Sequence, residues 1–256
     1  MIRWQAEAIW EAVAPVLPGF TVEVLPEVDS TNTELMRRAR VGLIDPVLLV
    51  AERQTAGRGR LGRPWAGEAG ASLTFSLGLP LAPADWSGLS LAVGVALAES
   101  LHPDVRIKWP NDLWLHDRKL AGILIETAGT GAAAAPRCVV VGVGINITER
   151  PAQGLSTPPA WLRELWPDAD APQALARIAL PLVQALQGFE AQGFGAFRGR
   201  FHARDALAGR TVVLSDGLQG QARGVGADGA LLVHTASGMK QVTSSEVSVR
   251  PLGAGG

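Results

Sequence analysis

A single cysteine, Cys138, stands in a chain of 256 residues. One thiol has no partner within the chain, so a disulfide framework is excluded and the usage points to a reducing compartment. Cys138 opens the apolar run Cys138-Val139-Val140-Val141 and reads as a small buried hydrophobe. Histidine is also scarce. His102, His116, His202 and His234 are the full set, and their spacings do not suit a structural zinc. Net charge is nearly absent: 23 Lys and Arg oppose 24 Asp and Glu, giving -1 at pH 7, which argues against an extended phosphate-tracking surface. No uninterrupted apolar run approaches the ~20 residues of a membrane span. Glu7 and Glu11 interrupt the stretch where a secretion signal would need an apolar core. A soluble, cytoplasmic protein without membrane contact is therefore expected. Hydrophobic content of 47% is ample for a packed core, in one large domain or a medium one plus a small one.

What is present is concentrated in residues 51–65, AERQTAGRGRLGRPW. Gly57, Gly59 and Gly62 free the backbone to bend around a ligand and present N–H groups. Arg58, Arg60 and Arg63 offer planar forks of donors suited to phosphate and carboxylate. The spacing Gly57-x-Gly59-x-x-Gly62 formally fits a dinucleotide-binding fingerprint, which demands a strand before it and a helix after it. Val47-Leu48-Leu49-Val50 supplies the strand, but Pro64, Gly67 and Gly70 follow, then the strand-like Ser72-Leu73-Thr74-Phe75-Ser76. The context fails. A nucleic-acid-binding loop fits poorly with the charge balance. A plain surface loop with solvated arginines stays open, though the glycine frame and Trp65 favour an anion-wrapping lid.

Along the chain, residues 4–14 read as one amphipathic helix, ended near Pro15 and Pro18. One helix cannot make a helix-turn-helix, so no DNA-binding domain is expected ahead of the body. Thr21 to Leu25 alternates as a strand. Asp29, Ser30 and Thr31 can each cap a helix, with Thr31 and Glu34 forming a capping box and Gly42 at the far end. The same cluster can be only a well-capped helix or can present polar groups to a ligand at a helix N-terminus. Strands are expected at Val47 to Glu52, 71–79, Val105 to Trp109, Leu113 to Leu115, Leu120 to Thr127 and Cys138 to Ile147. His116-Asp117-Arg118-Lys119 is expected as a turn. Gly142 and Gly144 mark either a close approach by another group or a bulge. Leu89 to Leu101 reads as a helix apolar on nearly every side, hence buried. Ala160 to Leu165 and Pro172 to Ala191 read as further helices, with loops at 129–136 and 151–159 and a joining stretch at 194–205. From Gly209, five short strands separated by Asp216-Gly217, Asp228-Gly229 and Ser237-Gly238 read as a small barrel, the last strand at Glu246 to Val249 and residues 253–256 frayed.

Five motifs in order, Asp29-Ser30-Thr31-Asn32, Gln54 to Trp65, Lys108-Trp109-Pro110-Asn111-Asp112, Lys119-Leu120-Ala121-Gly122-Ile123-Leu124 and Gly142-Val143-Gly144-Ile145-Asn146, resemble those of the biotin–protein ligases. The resemblance covers nearly the whole chain. It implies an α+β fold, a mixed β-sheet flanked by helices over residues 1–205, followed by an SH3-like barrel over 206–256. It implies biotin pocket residues at Ser30, Thr31, Asn32, Gln54, Arg58, Gly59, Arg60, Lys119 and Gly122. Nucleotide contacts are implied at Arg58, Arg60, Arg63, Trp65, Asn111, Lys119 and Asn146. Arg58 and Lys119 are implied to be catalytic, and Asp112 to lie near a magnesium ion. Trp109 is a pocket wall or a core residue. The chain looks like the shorter type of the family, without the winged helix of its repressor members.

The implied reaction joins biotin and ATP as biotinyl-adenylate, with Mg²⁺ on the phosphates, and then passes biotin to a lysine of a biotin carboxyl carrier domain of a carboxylase. Neither step needs a covalent enzyme intermediate, so the lack of a Ser-His-Asp or Cys-His set is no obstacle. The demand is for positioning and for cations around phosphorus. The rival readings are a lipoate or octanoate ligase or transferase of similar fold, a non-catalytic binder of biotin or carrier domains, and a nucleic-acid module. The protein is a monomer or a homodimer.

Overall fold

The computed structural model describes residues 2–129, 136–152, 157–243 and 249–252. The loop expected at 129–136 (apart from its two end residues), residues 153–156 of that expected at 151–159, the strand expected at Glu246 to Val249 (apart from Val249) and the fraying at 253–256 fall outside the described residues.

Seven strands form the main sheet: β1 Thr21–Val28, β2 Val47–Gln54, β3 Ser72–Leu81, β4 Arg106–Lys108, β5 Asp112–Leu115, β6 Arg118–Ala128 and β7 Arg137–Asn146. Their order is β1-β2-β3-β7-β6-β5-β4, with β1 parallel to β2 and every other pair antiparallel. The sheet is mixed, as the resemblance implies. Pro26 sits within β1, where an edge position tolerates the missing N–H.

Side-chain alternation splits the sheet into two unlike faces. Phe75, Leu77 and Leu79 of β3, with Val139, Val141 and Ile145 of β7, point into the large core shared with α3 Leu89–Leu101 and α4 Ala171–Gln192. Helix α3 is apolar all round because it is sandwiched between the sheet and α4. The opposite face carries Thr74, Ser76 and Gly78 of β3 and Cys138, Val140, Gly142 and Gly144 of β7. Helix α2 Thr31–Arg40 covers part of it, burying Leu35 and Met36 against Val47, Leu49, Cys138 and Val140. The uncovered part of this second face is small and polar, and the site lies there.

Helix α1 is Ala6–Val13, tucked against α4 and β1. Three expectations change. Residues 194–205 are not a plain joint but contain α5 Gly195–His202, anchored by buried Phe197 and Phe201. The stretch 160–165 is only a 3₁₀ turn, Leu162–Glu164. Lys119 belongs to β6 rather than to the turn, which His116 and Asp117 make alone with positive φ.

The last strands, β8 Thr211–Leu214, β9 Gln219–Val225, β10 Leu231–Thr235, β11 Gly238–Val242 and β12 Val249–Pro251, run in the order β11-β10-β9-β8-β12. All pairs are antiparallel. No pairing closes the sheet into a barrel among the described residues. Gly217, Gly229 and Gly238 all have positive φ, which explains why the X-Gly turns were readable. This sheet is fastened to the body. Arg198 Nε donates to Val225 O at 3.1 Å, and Val225 N–H donates to His202 Nε2 at 3.1 Å. Trp109 Nε1 donates to Gly229 O at 3.0 Å. Trp109 is therefore core between the two sheets, and it does not line the site.

Candidate active site

One cleft of about 710 Å³ lies on the second face of the main sheet, and every expected site residue lines it. Its floor follows from strand register. Thr74, Gly144, Gly122, Asp112 and Lys108 stand opposite one another across β3, β7, β6, β5 and β4, so they share one face. Ser76, Gly142 and Leu124 form the next row on the same face.

The pocket under α2 is a closed polar network. Ser30 is the N-cap and accepts from Thr33 N–H at 3.4 Å, so the cap is Ser30 and not the Thr31–Glu34 box. Glu34 instead holds Arg38 at 2.9 Å. Thr31 and Asn32, one position into the helix, become buried polar side chains. Gln54 Oε1 accepts from Thr31 N–H at 2.8 Å and lies 3.2 Å from Thr31 Oγ1. Ser76 Oγ donates to Asn32 Oδ1 at 2.6 Å and lies 2.7 Å from Thr31 Oγ1. Asn32 Nδ2 donates to Leu124 O and to Glu126 Oε2. Gly142 leaves the room for this: a Cβ there would sit 2.0 Å from Asn32 Oδ1. The strand is unbulged at this point, so close approach by a side chain is the reason for the glycine.

The glycine-arginine loop folds over the cleft. It is cinched by Gly59 N–H to Arg63 O at 2.7 Å and Trp65 N–H to Gly57 O at 2.9 Å. Only a 3₁₀ turn, Arg60–Gly62, follows the glycines, which removes the dinucleotide fingerprint on structural grounds. Arg58 reaches Thr33 Oγ1 at 3.1 Å and Glu126 at 2.9 and 3.2 Å. Arg60 donates to Asn111 Oδ1 at 3.2 Å. Burial, reinforced by Arg63 and opposed by Asp112, holds its pKa below the ordinary guanidinium value, and the group stays charged. Trp65 lies flat over the thin part of the floor, where a Cβ on Gly144 would come within 2.2 Å of its ring. Lys119 Nζ and Arg150 stand 6.0 and 5.8 Å from that ring.

Lys119 Nζ pairs with Asp112 Oδ1 at 2.7 Å, and the pair marks the middle of the cleft. Asn146 donates to Lys119 O and Ala160 O and accepts from Arg150 at 3.0 Å, so it knits the wall together. Lys108, at the end of the row, is 7% exposed and faces the ring of Trp114 at 5.7 Å. Burial, opposed by the attraction of Asp112 and helped by the repulsion of Lys119, Arg60 and Arg63, pulls its pKa down to about 8. Val249–Pro251 of β12 adds a wall from the second sheet.

The sequence reading missed Ser76, Glu126 and Arg150. Ser76 and Glu126 share faces with Gly142 and Gly122 through strand alternation, a signal that was present once register was known. Arg150 lies outside every motif. No group of three or more His, Cys, Asp or Glu that could hold a metal occurs among the described residues. Asp112 thus has no ready-made ligand cage around it among the described residues, a fit for a cation that arrives on phosphates.

A hydroxyl-and-amide pocket abuts an arginine-lysine strip on a mixed sheet, a site suited to a polar ligand with an anionic end. Residues 24–146 match the biotin/lipoate A/B protein ligase family and 209–250 match the biotin protein ligase C-terminal domain. The chain is 39% identical over 247 residues to the bifunctional ligase/repressor BirA of Escherichia coli, covering 91% of this chain and 75% of that protein. It is 33% identical over 239 residues to the biotin–[acetyl-CoA-carboxylase] ligase of Paracoccus denitrificans, covering 88% and 98%. A solved biotin protein ligase from Aquifex aeolicus, in complex with biotin and ATP, superposes with a TM-score of 0.76 at 29% identity, over 90% of this chain and 98% of that one. The chain belongs to the biotin protein ligases, and it is an enzyme of the ligase class.

Proposed function

We propose that the protein activates biotin with ATP as biotinyl-5′-adenylate and transfers the biotinyl group to a lysine of a biotin carboxyl carrier domain. The observation that carries this is the junction of two unlike half-sites on one sheet face. The polar network of Thr31, Asn32, Gln54 and Ser76 suits a neutral ring rich in N–H and C=O groups. The cations Arg58, Arg60 and Lys119 lie next to it and suit a carboxylate meeting a phosphate.

In the first step an oxygen of the biotin carboxylate attacks the α-phosphorus of ATP. The bond from that phosphorus to the bridging oxygen breaks, and pyrophosphate leaves with the electron pair. Arg58 and Lys119 offset charge on the two anions and hold them in line. Asp112 fixes the Lys119 ammonium at 2.7 Å. In the second step the carrier lysine, as a free amine, attacks the carbonyl carbon of the mixed anhydride. The carbon–oxygen bond to phosphate breaks, AMP leaves, and the amide nitrogen loses its proton to solvent. Trp65 over Gly144 and Gly122 offers a flat surface for the adenine, with Asn146 and Arg150 behind it. Magnesium, carried on the phosphates and met by Asp112, would supply further charge neutralisation there. On this reading residues 1–205 form the catalytic domain and 206–256 the SH3-like module.

The test is incubation of the purified protein with ATP, Mg²⁺ and either biotin or lipoate, reading pyrophosphate release and the acyl-adenylate by mass. Biotinyl-adenylate with biotin alone supports the reading. Product with lipoate alone moves the enzyme to the sister activity, and product with neither removes it.

A further inference from the structure

Lys108, Lys119 and Lys240 are the full set of lysines in the sequence, beside 20 arginines. For a protein that makes an acyl-adenylate this imbalance is chemical as well as electrostatic. A mixed anhydride acylates an amine in its free-base form. Lysine can give up its proton to reach that form, whereas the arginine guanidinium stays protonated. A surface built on arginine is therefore nearly inert toward the activated acid. Three side-chain amines remain, and the structure treats them unequally. Lys108 is 7% exposed and faces the ring of Trp114. Lys119 Nζ is engaged by Asp112 at 2.7 Å. Lys240 is exposed, and among the described residues no hydrogen bond or ion pair holds its ammonium.

Lys240 lies in β11, an edge strand of the second sheet, two residues past Gly238. Met239, Lys240 and Gln241 are all exposed, so the strand is uncovered on both faces as well as along its outer edge. Free N–H and C=O groups on such an edge can pair with another chain. A lysine there can also serve as a guard against that pairing. The guard asks only for a positive charge, which this chain supplies elsewhere as arginine in 20 of 23 cases. The strand order β11-β10-β9-β8-β12 puts Lys240 four spacings from β12, which walls the cleft. At ~4.8 Å per spacing that is about 19 Å along the sheet. Such a separation favours the cleft of a second copy over its own.

We propose that Lys240 is a modification site, whose ε-amine receives a biotinyl group from the cleft of a second copy of this chain. This rests on the adenylate-forming reading above. The free amine of Lys240 attacks the carbonyl carbon of biotinyl-adenylate. The bond from that carbon to the phosphate oxygen breaks, AMP leaves with the electron pair, and the nitrogen loses its proton to solvent. An amide on β11 results, with one positive charge lost from the edge.

The experiment incubates the wild-type protein with biotin, ATP and Mg²⁺ beside serum albumin as a bystander, and reads labelled lysines by peptide mass. Lys240 is expected to be acylated about tenfold or more faster than an average albumin lysine, because docking raises its local concentration at the adenylate. The rate per molecule rises with protein concentration, and Lys108 and Lys119 stay unlabelled. Lys240→Arg is expected to release pyrophosphate at the wild-type rate and to take up no biotin. Mixed with Lys119→Ala, which retains Lys240, it is expected to label that protein. Acylation of Lys240 no faster than of albumin overturns the proposal, since released adenylate would then explain it. Label confined to Lys108 or Lys119, or a rate independent of concentration, overturns it as well. Should the wild type make no biotinyl-adenylate, the functional reading falls. Synthetic biotinyl-adenylate added to the same mixture still decides whether Lys240 outpaces the bystander lysines.

Discussion

Arg58 and Glu126 are joined by two hydrogen bonds of 2.9 and 3.2 Å, and Glu126 also accepts from Asn32 at 3.0 Å. One carboxylate therefore links the lid loop to the polar pocket, from strand β6 outside any recognised motif. It leaves Arg58 aimed across the cleft when the loop is down. Glu126→Gln keeps the shape and removes the charge. Because Arg58 is 42% exposed, the pair itself is a modest contribution to stability. The expected effect is on retention: biotinyl-adenylate dissociates about three- to tenfold faster, with Tm nearly unchanged. Release of labelled intermediate from the two proteins checks this, and identical rates would remove Glu126 from the lid mechanism.

Gly142 and Gly144 are two residues apart on one strand face, yet they clear space for different side chains. A Cβ on Gly142 meets Asn32 Oδ1 at 2.0 Å, and one on Gly144 meets the Trp65 ring at 2.2 Å. Neither neighbour is free to move, the first being bonded to Ser76 and Leu124 and the second a rigid ring. Gly142→Ala is expected to raise KM for biotin at least tenfold and leave ATP binding close to normal. Gly144→Ala is expected to do the reverse. Separate calorimetric titrations with biotin and with ATP decide, and a matched loss in both variants would mean the strand itself had shifted.

Much of this was readable from the chain because the informative residues are the ones whose chemistry departs from packing. Glycines at 142 and 144 in an otherwise β-branched strand announced a close approach, although the sequence did not say that Asn32 and Trp65 make it. Ser30, Thr31 and Asn32 were legible as a polar cluster, and Ser30 was one of three candidate caps beside Asp29 and Thr31, of which only the Thr31–Glu34 box fails. Capping strength is similar for Ser and Thr, and tertiary packing of Thr31 against Gln54 chose between them. Helix α5 was missed because Gly195 and Gly199 dilute its pattern, and only Phe197 and Phe201, four apart, carry it. Trp109 stayed open between wall and core until Gly229, 120 residues away, was seen to accept from it. The five short strands expected near the end form one antiparallel sheet, and hairpin signals fix such neighbours but say nothing about closure.

Lys119 is held by Asp112 and stands over Gly122, so its ammonium is fixed before any ligand arrives. Lys119→Ala removes that charge from the middle of the strip and leaves Asp112 facing the phosphates unneutralised. Adenylate formation is expected to fall well over tenfold in kcat/KM, on the scale of losing a charge-assisted contact in a desolvated site. Lys119→Arg is expected to recover only part, because a planar fork cannot replace a point charge at the same atom. Near-normal pyrophosphate release from the alanine variant would make Lys119 a structural partner of Asp112 alone.

The arginine-rich loop offers trypsin two sites, after Arg58 and after Arg60, since Pro64 blocks cleavage after Arg63, and Leu61 is 60% exposed at its tip. If the loop lifts to admit substrates and closes over the adenylate, cleavage there slows severalfold when biotin and ATP are both present and little with either alone. Peptide mapping over time reads this. Equal cleavage in all four conditions would leave the loop a fixed wall.

Lys108 ties stability to pH in a direction that can be worked out. Its pKa is about 8 in the folded protein against an ordinary 10.5. Below pH 8 folded and unfolded chains both carry the proton, and the folded state bears the full cost of a buried charge. Between 8 and 10.5 the folded chain releases the proton while the unfolded chain keeps it, so the unfolded state binds more protons and stability rises with pH. Lys108→Met has no such cost at any pH. The variant is therefore expected to melt a few degrees above wild type at pH 7, the gap shrinking as pH climbs through 8 towards 10. Thermal melts of both proteins across that range, without nucleotide, test it. A gap that stays constant would mean the Lys108 ammonium is not desolvated.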